Sequence, residues 1–285
     1  MDLHRSFTIR ESSHRIHNPF DDVKLATLGA ALRLPAGASV LDLACGSGEM
    51  LCTWARDHGV TGVGVDISTV FLASARERAF ELGVAERVSF VHGDAAGYVS
   101  DEPVDVAACV GAAWIGDGVP GTVELLRRSL RPGGLVLLGH PYWRRLPVDE
   151  ETARACHVSS PDELLPLPEL VEQFGDLGCD VVEMVLADQD GWDRYVAAQW
   201  LNTRQWLERQ PGRRAGAGDA RRAAHGGRSA RPVPAGVPGL GCVRPDGPLA
   251  CPRLAGSASW AVWTTSTTCS RRSGPGCGRS ASSAR

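Results

Sequence analysis

Two carboxylates bracket a pair of glycines in the first quarter of this chain. Asp42 lies four residues before Gly46, and Asp66 lies twenty residues after it. The chemistry that suits them is the holding of a nucleoside. An ionised carboxylate only accepts hydrogen bonds, so one such group can take the protons of both ribose hydroxyls. Twenty residues past a glycine turn is also where an acidic residue on the neighbouring strand reaches a ribose. Gly46 and Gly48 carry no side chain that would hold a flat ligand away from the backbone. Asp42 is awkward to bury without a partner, which turns it toward the ligand crevice.

For these groups to meet, a strand must enter the turn and a helix must leave it. Residues 40–43 form a short apolar run of the kind buried on both faces of a parallel sheet. After the glycines, residues 49–57 carry Met50, Leu51, Trp54 and Ala55 at helical spacing. Backbone N–H groups of the turn and the dipole of that helix then converge on one ligand. A second apolar strand, residues 60–65, ends on Asp66. The pyrophosphate fingerprint Gly-x-Gly-x-x-Gly is incomplete, because Leu51 stands where the third glycine belongs.

On these residues the chain resembles the class I S-adenosylmethionine-dependent methyltransferases of small-molecule type. LDLACGSG is similar to their first motif, with Ala44 where many members have glycine, and VGVDIS resembles their acidic ribose-binding motif. The resemblance runs in order over residues 12–209. It implies an α/β fold, a doubly wound, mostly parallel sheet with helices on both faces, and S-adenosyl-L-methionine as cofactor. Cofactor contacts are then expected from Asp42, Ala44, Cys45, Gly46, Ser47, Gly48, Asp66 and Ile67. After a third strand at 87–91, HGDAA places Gly93, Asp94 and Ala95 at the family's adenine site, the Asp94 carboxylate accepting from the amino group and the Ala95 N–H meeting the ring. The plainer reading of Asp94 is a cap on a short helix. A fourth strand, 104–110, opens onto small residues, so that Val110 and Gly111 let the methionine arm approach the backbone. Trp114 either walls the acceptor pocket or simply packs.

The acceptor side is less constrained. Methyl transfer needs alignment and exclusion of water, and a base only where the acceptor must lose a proton. His14, His17 and His140 are the candidate catalytic residues, since histidine titrates near neutrality. The first two sit in HRIHNPF, within an N-terminal lid and helix segment (1–38) of the kind that the resemblance places over the cofactor. The alternative is a mobile terminus with solvated histidines. His140 follows a fifth strand at 135–138 in GHPYWRR, which directs it, with Tyr142 and Trp143, toward the crevice of Gly46. The family usually has glutamate at this place, in GEPYWR, so His140 is a departure.

The remaining elements are expected as helices at 23–33 (capped by Asp21 or Asp22), 68–82, 123–130, 168–177 and 190–209, with a strand at 180–187 and an irregular lid at 146–168. Trp54 and Phe71 are core residues by type, and the aromatic stripe of 190–209 reads as core as well. No apolar run of eighteen residues and no charged-then-apolar leader occurs, which argues against membrane or secretion. Nine cysteines without a Cys-x-x-Cys pair argue against zinc, so no metal is expected, and point to reduced thiols in the cytoplasm. Residues 1–210 hold 18 basic against 31 acidic residues, which disfavours a nucleic-acid substrate and leaves a small-molecule acceptor. The oligomeric state is not legible.

From Pro211 the text changes. Residues 211–285 hold 12 basic and 2 acidic residues and no sustained period. They read as a disordered tail beyond a methyltransferase domain at 39–210. Residues 232–248 can be encoded so that a shift of one base yields RYLREYLGWGVFALMA, and 219–223 so that it yields MRAEL. Both strings are similar to the family's closing helix and strand. The expectation is an out-of-frame tail, with the break near 210–212 and the seventh, antiparallel strand missing. Two other functions are weighed, a nicotinamide-dependent oxidoreductase and a nucleoside-binding module without catalysis.

Overall fold

The computed structural model describes residues 2–156, 158–210 and 258–266. Adjacent residues on the central strands go to opposite faces, and both faces are covered. On β1 (Ser39–Leu43), Val40 packs with Leu25, Leu28, Leu51 and Trp54 on one side. Its neighbour Leu41 packs with Val123, Leu126 and Phe174 on the other. The same division holds on β4 (Val104–Val110) for Val106 and Ala107, and on β5 (Leu130–Trp143) for Leu137 and Leu138. A strand with two dry faces must be apolar at every position, which is why these runs show no alternation.

Seven strands form one sheet in the order β3-β2-β1-β4-β5-β7-β6, where β2 is Thr61–Asp66, β3 Val88–His92, β6 Asp180–Leu186 and β7 Ala258–Ser266. β1 to β5 pair parallel, and the order reverses between β1 and β4, the place where such sheets hold ligands. Helices α2 (Asp22–Leu32) and α3 (Glu49–His58) line one face, and α5 (Val119–Arg127) and α7 (Leu167–Asp176) the other. Between α3 and α5, α4 (Thr69–Glu81) follows β2 and packs on β3. Asp21 is the cap of α2, its carboxylate accepting from the Lys24 N–H at 2.8 Å. Trp54 and Phe71 are buried as their types require. A short helix not expected from the sequence, α1 (Arg5–Arg10), packs on α8 (Gln189–Glu208).

Three expectations are corrected. The seventh strand is present: β7 (Ala258–Ser266) lies antiparallel between β5 and β6. Its sequence ASWAVWTTS is rich in the β-branched and aromatic residues that favour strands, and it closes the gap that residues 39–210 leave. The edge expected to be open is therefore paired, and the argument for a lost frame that rested on a missing strand falls. The stretches 219–223 and 232–248, on which the shifted reading rests, lie outside the described residues. Second, β5 begins at Leu130 and continues to Trp143, carrying Arg-Pro-Gly-Gly inside the strand with Gly133 at φ +78° and a register shift opposite Val104–Val106. Pro-Gly here makes an irregularity inside a strand that was expected only over 135–138. Third, residues 146–168 contain α6 (Glu150–Ala155) and a 3₁₀ turn at Pro161–Glu163, packed around Trp143. No helix among the described residues is long and apolar enough to cross a membrane.

Candidate functional site

The turn after β1 is built from left-handed backbone at Ala44 (φ +60°), Gly46 (+55°) and Gly48 (+68°). Asp66, at the end of β2, grips it. Asp66 Oδ2 accepts from the Gly46 N–H at 2.8 Å and Oδ1 from the Ser68 N–H at 2.8 Å. Burial pushes the Asp66 carboxyl up, and these N–H donors work against that rise. The Cys45 N–H ties the turn to Val65 O at 3.1 Å, and Gly48 N–H returns to Cys45 O at 2.9 Å. A side chain at Gly48 would meet the Phe90 ring at 2.7 Å, so its glycine answers packing as well as backbone conformation.

Asp42 is 3% exposed and lines the cleft beside this turn. Burial pushes its carboxyl up to about 8, with the neighbouring Asp66 adding to the rise. Cys45, under the same two carboxylates, is also a thiol pushed well above its usual range, mainly by burial. Two buried carboxylates side by side, neither in an ion pair with a described cation, make a site that welcomes positive charge and hydroxyl donors. A sulfonium nucleoside bearing an ammonium group and a ribose supplies both.

The N-terminal segment closes over this turn. A side chain at Gly46 would lie 2.7 Å from His17 Nδ1, so the space above the glycine is occupied by that ring. His17 Nε2 is 3.2 Å from His14 O and 3.1 Å from Ser47 Oγ. A carbonyl only accepts, so Nε2 carries the hydrogen and Nδ1 keeps its lone pair toward Gly46. Burial holds the His17 ring below its ordinary pKa. Beneath the segment the cleft measures about 50 Å³, bounded by Asp42, Ala44, Cys45, Gly46 and Val110 on the sheet side and by Ile16, His17 and Phe20 above. Cofactor pockets run from roughly 300 Å³. The segment must withdraw for a nucleoside to enter.

The structure therefore brings together Asp42, Ala44, Cys45, Gly46, Ser47, Asp66 and Val110 with His17. Gly48 starts α3 from just behind them. Ile67 follows Asp66, its carbonyl 3.1 Å from His92 Nε2. Gly93 donates its N–H to Asp66 O at 3.0 Å, and Ala95 is buried beside it. Asp94 is exposed and caps the 3₁₀ turn Ala95–Gly97, accepting from the Ala96 N–H at 2.9 Å, so in this state its cap role is the one realised. Gly111, at φ +93°, bridges from β4 to Gly139 O at 3.0 Å.

His140 is not brought to the cleft. It sits half-buried within β5, opposite Ala261, and burial pulls its pKa down to about 4. Tyr142 packs into the core with Phe174, and the Trp143 indole donates to Pro161 O at 2.8 Å. The three were expected at the crevice because the strand was expected to end at Leu138; its extension to Trp143 carries them past it. Trp114 is 42% exposed, so it is not a core residue. His14 meets Glu11 on the same segment and the Tyr195 ring on α8, and Tyr195 and Gln199 in turn donate to Glu11, a junction that the sequence reading did not anticipate. Glu11 stands three residues before His14, a spacing that could have marked the pair.

Residues 40–134 match a family described as the methyltransferase domain. The chain is 64% identical over 211 residues to the uncharacterized protein YjhP of Escherichia coli, a match covering 74% of this chain and 85% of that one. It is similar, with a TM-score of 0.79 and 54% identity over 93% of this chain and 98% of the other, to the crystal structure of a SAM-dependent methyltransferase from Geobacter sulfurreducens in complex with S-adenosyl-L-homocysteine. A 27-O-demethylrifamycin SV methyltransferase from Amycolatopsis mediterranei is 33% identical over 116 residues, covering 39% of this chain and 42% of that protein.

Proposed function

Because the chain belongs to the S-adenosylmethionine-dependent methyltransferases, we propose that it moves the methyl group of S-adenosylmethionine to a small-molecule acceptor enclosed by the N-terminal segment. The carrying observation is the closure of residues 14–20 over a glycine turn gripped by Asp66. When bound, the cofactor supplies a sulfonium whose methyl carbon is already electrophilic. The protein's part is to hold, align and keep dry. Asp66 would accept from the ribose hydroxyls, and Asp42, ionised by the arrival of positive charge, would hold the amino-acid end beside Ala44, Cys45, Gly46 and Ser47. Asp94 and Ala95 would take the adenine, with Gly93 and Ile67 shaping its floor, and Val110 and Gly111 would border the methionine arm.

Several features support a small acceptor. The cleft is narrow and its roof is a short segment, which suits a molecule that can be covered whole. The excess of acidic residues over 1–210 opposes a nucleic acid. The rifamycin relative is named for methylation at an oxygen of a small molecule. Free cysteines at 45, 52, 109 and 179 among the described residues fit the cytoplasm. The oxidoreductase and non-catalytic readings are not favoured: the matches are to methyltransferases, and Leu51 replaces the third glycine. The test is a screen of small acceptors with methyl-labelled cofactor. Label transferred to at least one small molecule supports the reading; label moved only to nucleic acid or protein refutes it.

A further inference from the structure

Glu11 is 1% exposed and organises the junction of α1 with α8. Its Oε1 accepts from the Tyr195 hydroxyl at 3.1 Å and from the Gln199 amide at 2.7 Å. Its Oε2 lies 2.9 Å from His14 Nδ1. The carboxylate accepts, so Nδ1 carries the hydrogen and Nε2 is left with a lone pair. Nε2 is buried and has no hydrogen-bond partner among the described residues. Neither has the buried Nε1 of Trp192, one turn before Tyr195 on α8. The Tyr195 ring lies 4.6 Å from that of His14 and 6.5 Å from that of Trp192.

A buried nitrogen without a partner is costly, and two of them flank one tyrosine here. The His14 nitrogen is an acceptor, the role that a substrate hydroxyl proton would fill. The junction also borders the transfer site. His14 O is the 3.2 Å partner of His17 Nε2, which reaches Ser47 of the glycine turn. Trp192 packs on the apolar cluster of Phe20, Leu25, Leu28 and Met50, side chains that also line the cleft.

We propose that His14, oriented by Glu11, is the general base for an acceptor that carries a weakly acidic hydroxyl on an apolar, phenol-like body. This rests on the methyltransferase reading above and names its substrate class. His14 Nε2 takes the hydroxyl proton as the oxygen's electron pair forms the O–C bond to the methyl carbon. The S–C bond breaks and its pair returns to sulfur. The products are a methyl ether, S-adenosylhomocysteine and an imidazolium, which returns its proton to water. Glu11 acts through His14 and is a positioning residue.

The experiment uses the full chain with a series of phenols of graded acidity, from 4-nitrophenol to 4-methylphenol, at pH 8. His14→Gln should lose methyl transfer to 4-methylphenol by about 10²-fold or more. It should lose less than about tenfold with 4-nitrophenol, which is largely ionised already and needs no base. Glu11→Gln, which keeps the shape, should lose less than His14→Gln and shift the pH profile. S-adenosylhomocysteine binding, read by calorimetry, should match the parent in both. Equal losses across the series would mark a structural role and overturn the proposal. So would the failure of every phenol in the parent enzyme while S-adenosylhomocysteine still binds. If S-adenosylhomocysteine did not bind the parent, the cofactor reading would fall first and carry this proposal with it.

Discussion

Replacing Asp42 by asparagine should make the cofactor-free protein more stable, and by an amount that grows with pH. The carboxyl is raised from an ordinary 3.8 to about 8, first by burial and then by Asp66. Between those values the folded chain keeps a proton that the unfolded chain has released. The contribution of Asp42 is therefore fully present below about pH 4 and is lost as pH rises toward about 8. Each pH unit in that window costs about 1.4 kcal/mol. Asparagine keeps the shape of the protonated acid and does not titrate. From pH 5 to pH 7.5 the variant's advantage over the parent should widen by about 3 kcal/mol. Titrating groups remote from the cleft are common to both chains and cancel in the difference, while Asp66, coupled to Asp42, is relieved in the variant. Urea unfolding followed by tryptophan fluorescence measures it, with the slope checked for equality between the two proteins. A gap constant to within about 0.5 kcal/mol over that range would show that Asp42 ionises freely and that the cleft is not the dry, doubly acidic site described.

Gly46→Val forces a branched side chain into left-handed backbone and into the His17 ring. Calorimetry should show S-adenosylhomocysteine affinity falling by at least about tenfold, from about 1–2 kcal/mol of backbone strain plus the clash. His140→Glu, which restores the residue expected of relatives, should preserve or raise methyl transfer, because His140 is held half-buried within β5 opposite Ala261. A loss beyond about tenfold with cofactor binding intact would restore it as a base, whose removal costs about 10² or more.

The central fold and the glycine turn gripped by Asp66 were legible because they depend on local constraints. A strand buried on both faces must be a short apolar run, and a turn with left-handed backbone favours glycine, as at Gly46 and Gly48 beside Ala44. Residues 39–66 therefore announced β1, the turn and Asp66 with little error. What the sequence hid was non-local. Nothing in GHPYWRR tells that β5 continues through it, because the pairing that extends the strand comes from Ala258–Ser266, more than a hundred residues away. The wrong end of β5 then misplaced His140, Tyr142 and Trp143 together. Only the spacing of Glu11 to His14 was local; its partners Tyr195 and Gln199 were hidden for the same reason, standing more than 180 residues away. The stripe on α8 was read by its period as core; Tyr195 and Val196 are buried, while Trp200 is 38% exposed.

The most direct test of the account is the binding of S-adenosylhomocysteine to the parent and to Asp66→Ala. In the structure Asp66 does two things, fixing the Gly46 and Ser68 N–H groups and presenting its carboxylate at the end of β2. Losing charge-assisted hydrogen bonds of this kind costs about 1–3 kcal/mol, a weakening of roughly 5- to 150-fold. Isothermal calorimetry should find one site in the parent and that loss in the variant, with circular dichroism unchanged. Equal affinity in the two proteins, or no binding to the parent, would contradict the placement of the cofactor at this turn.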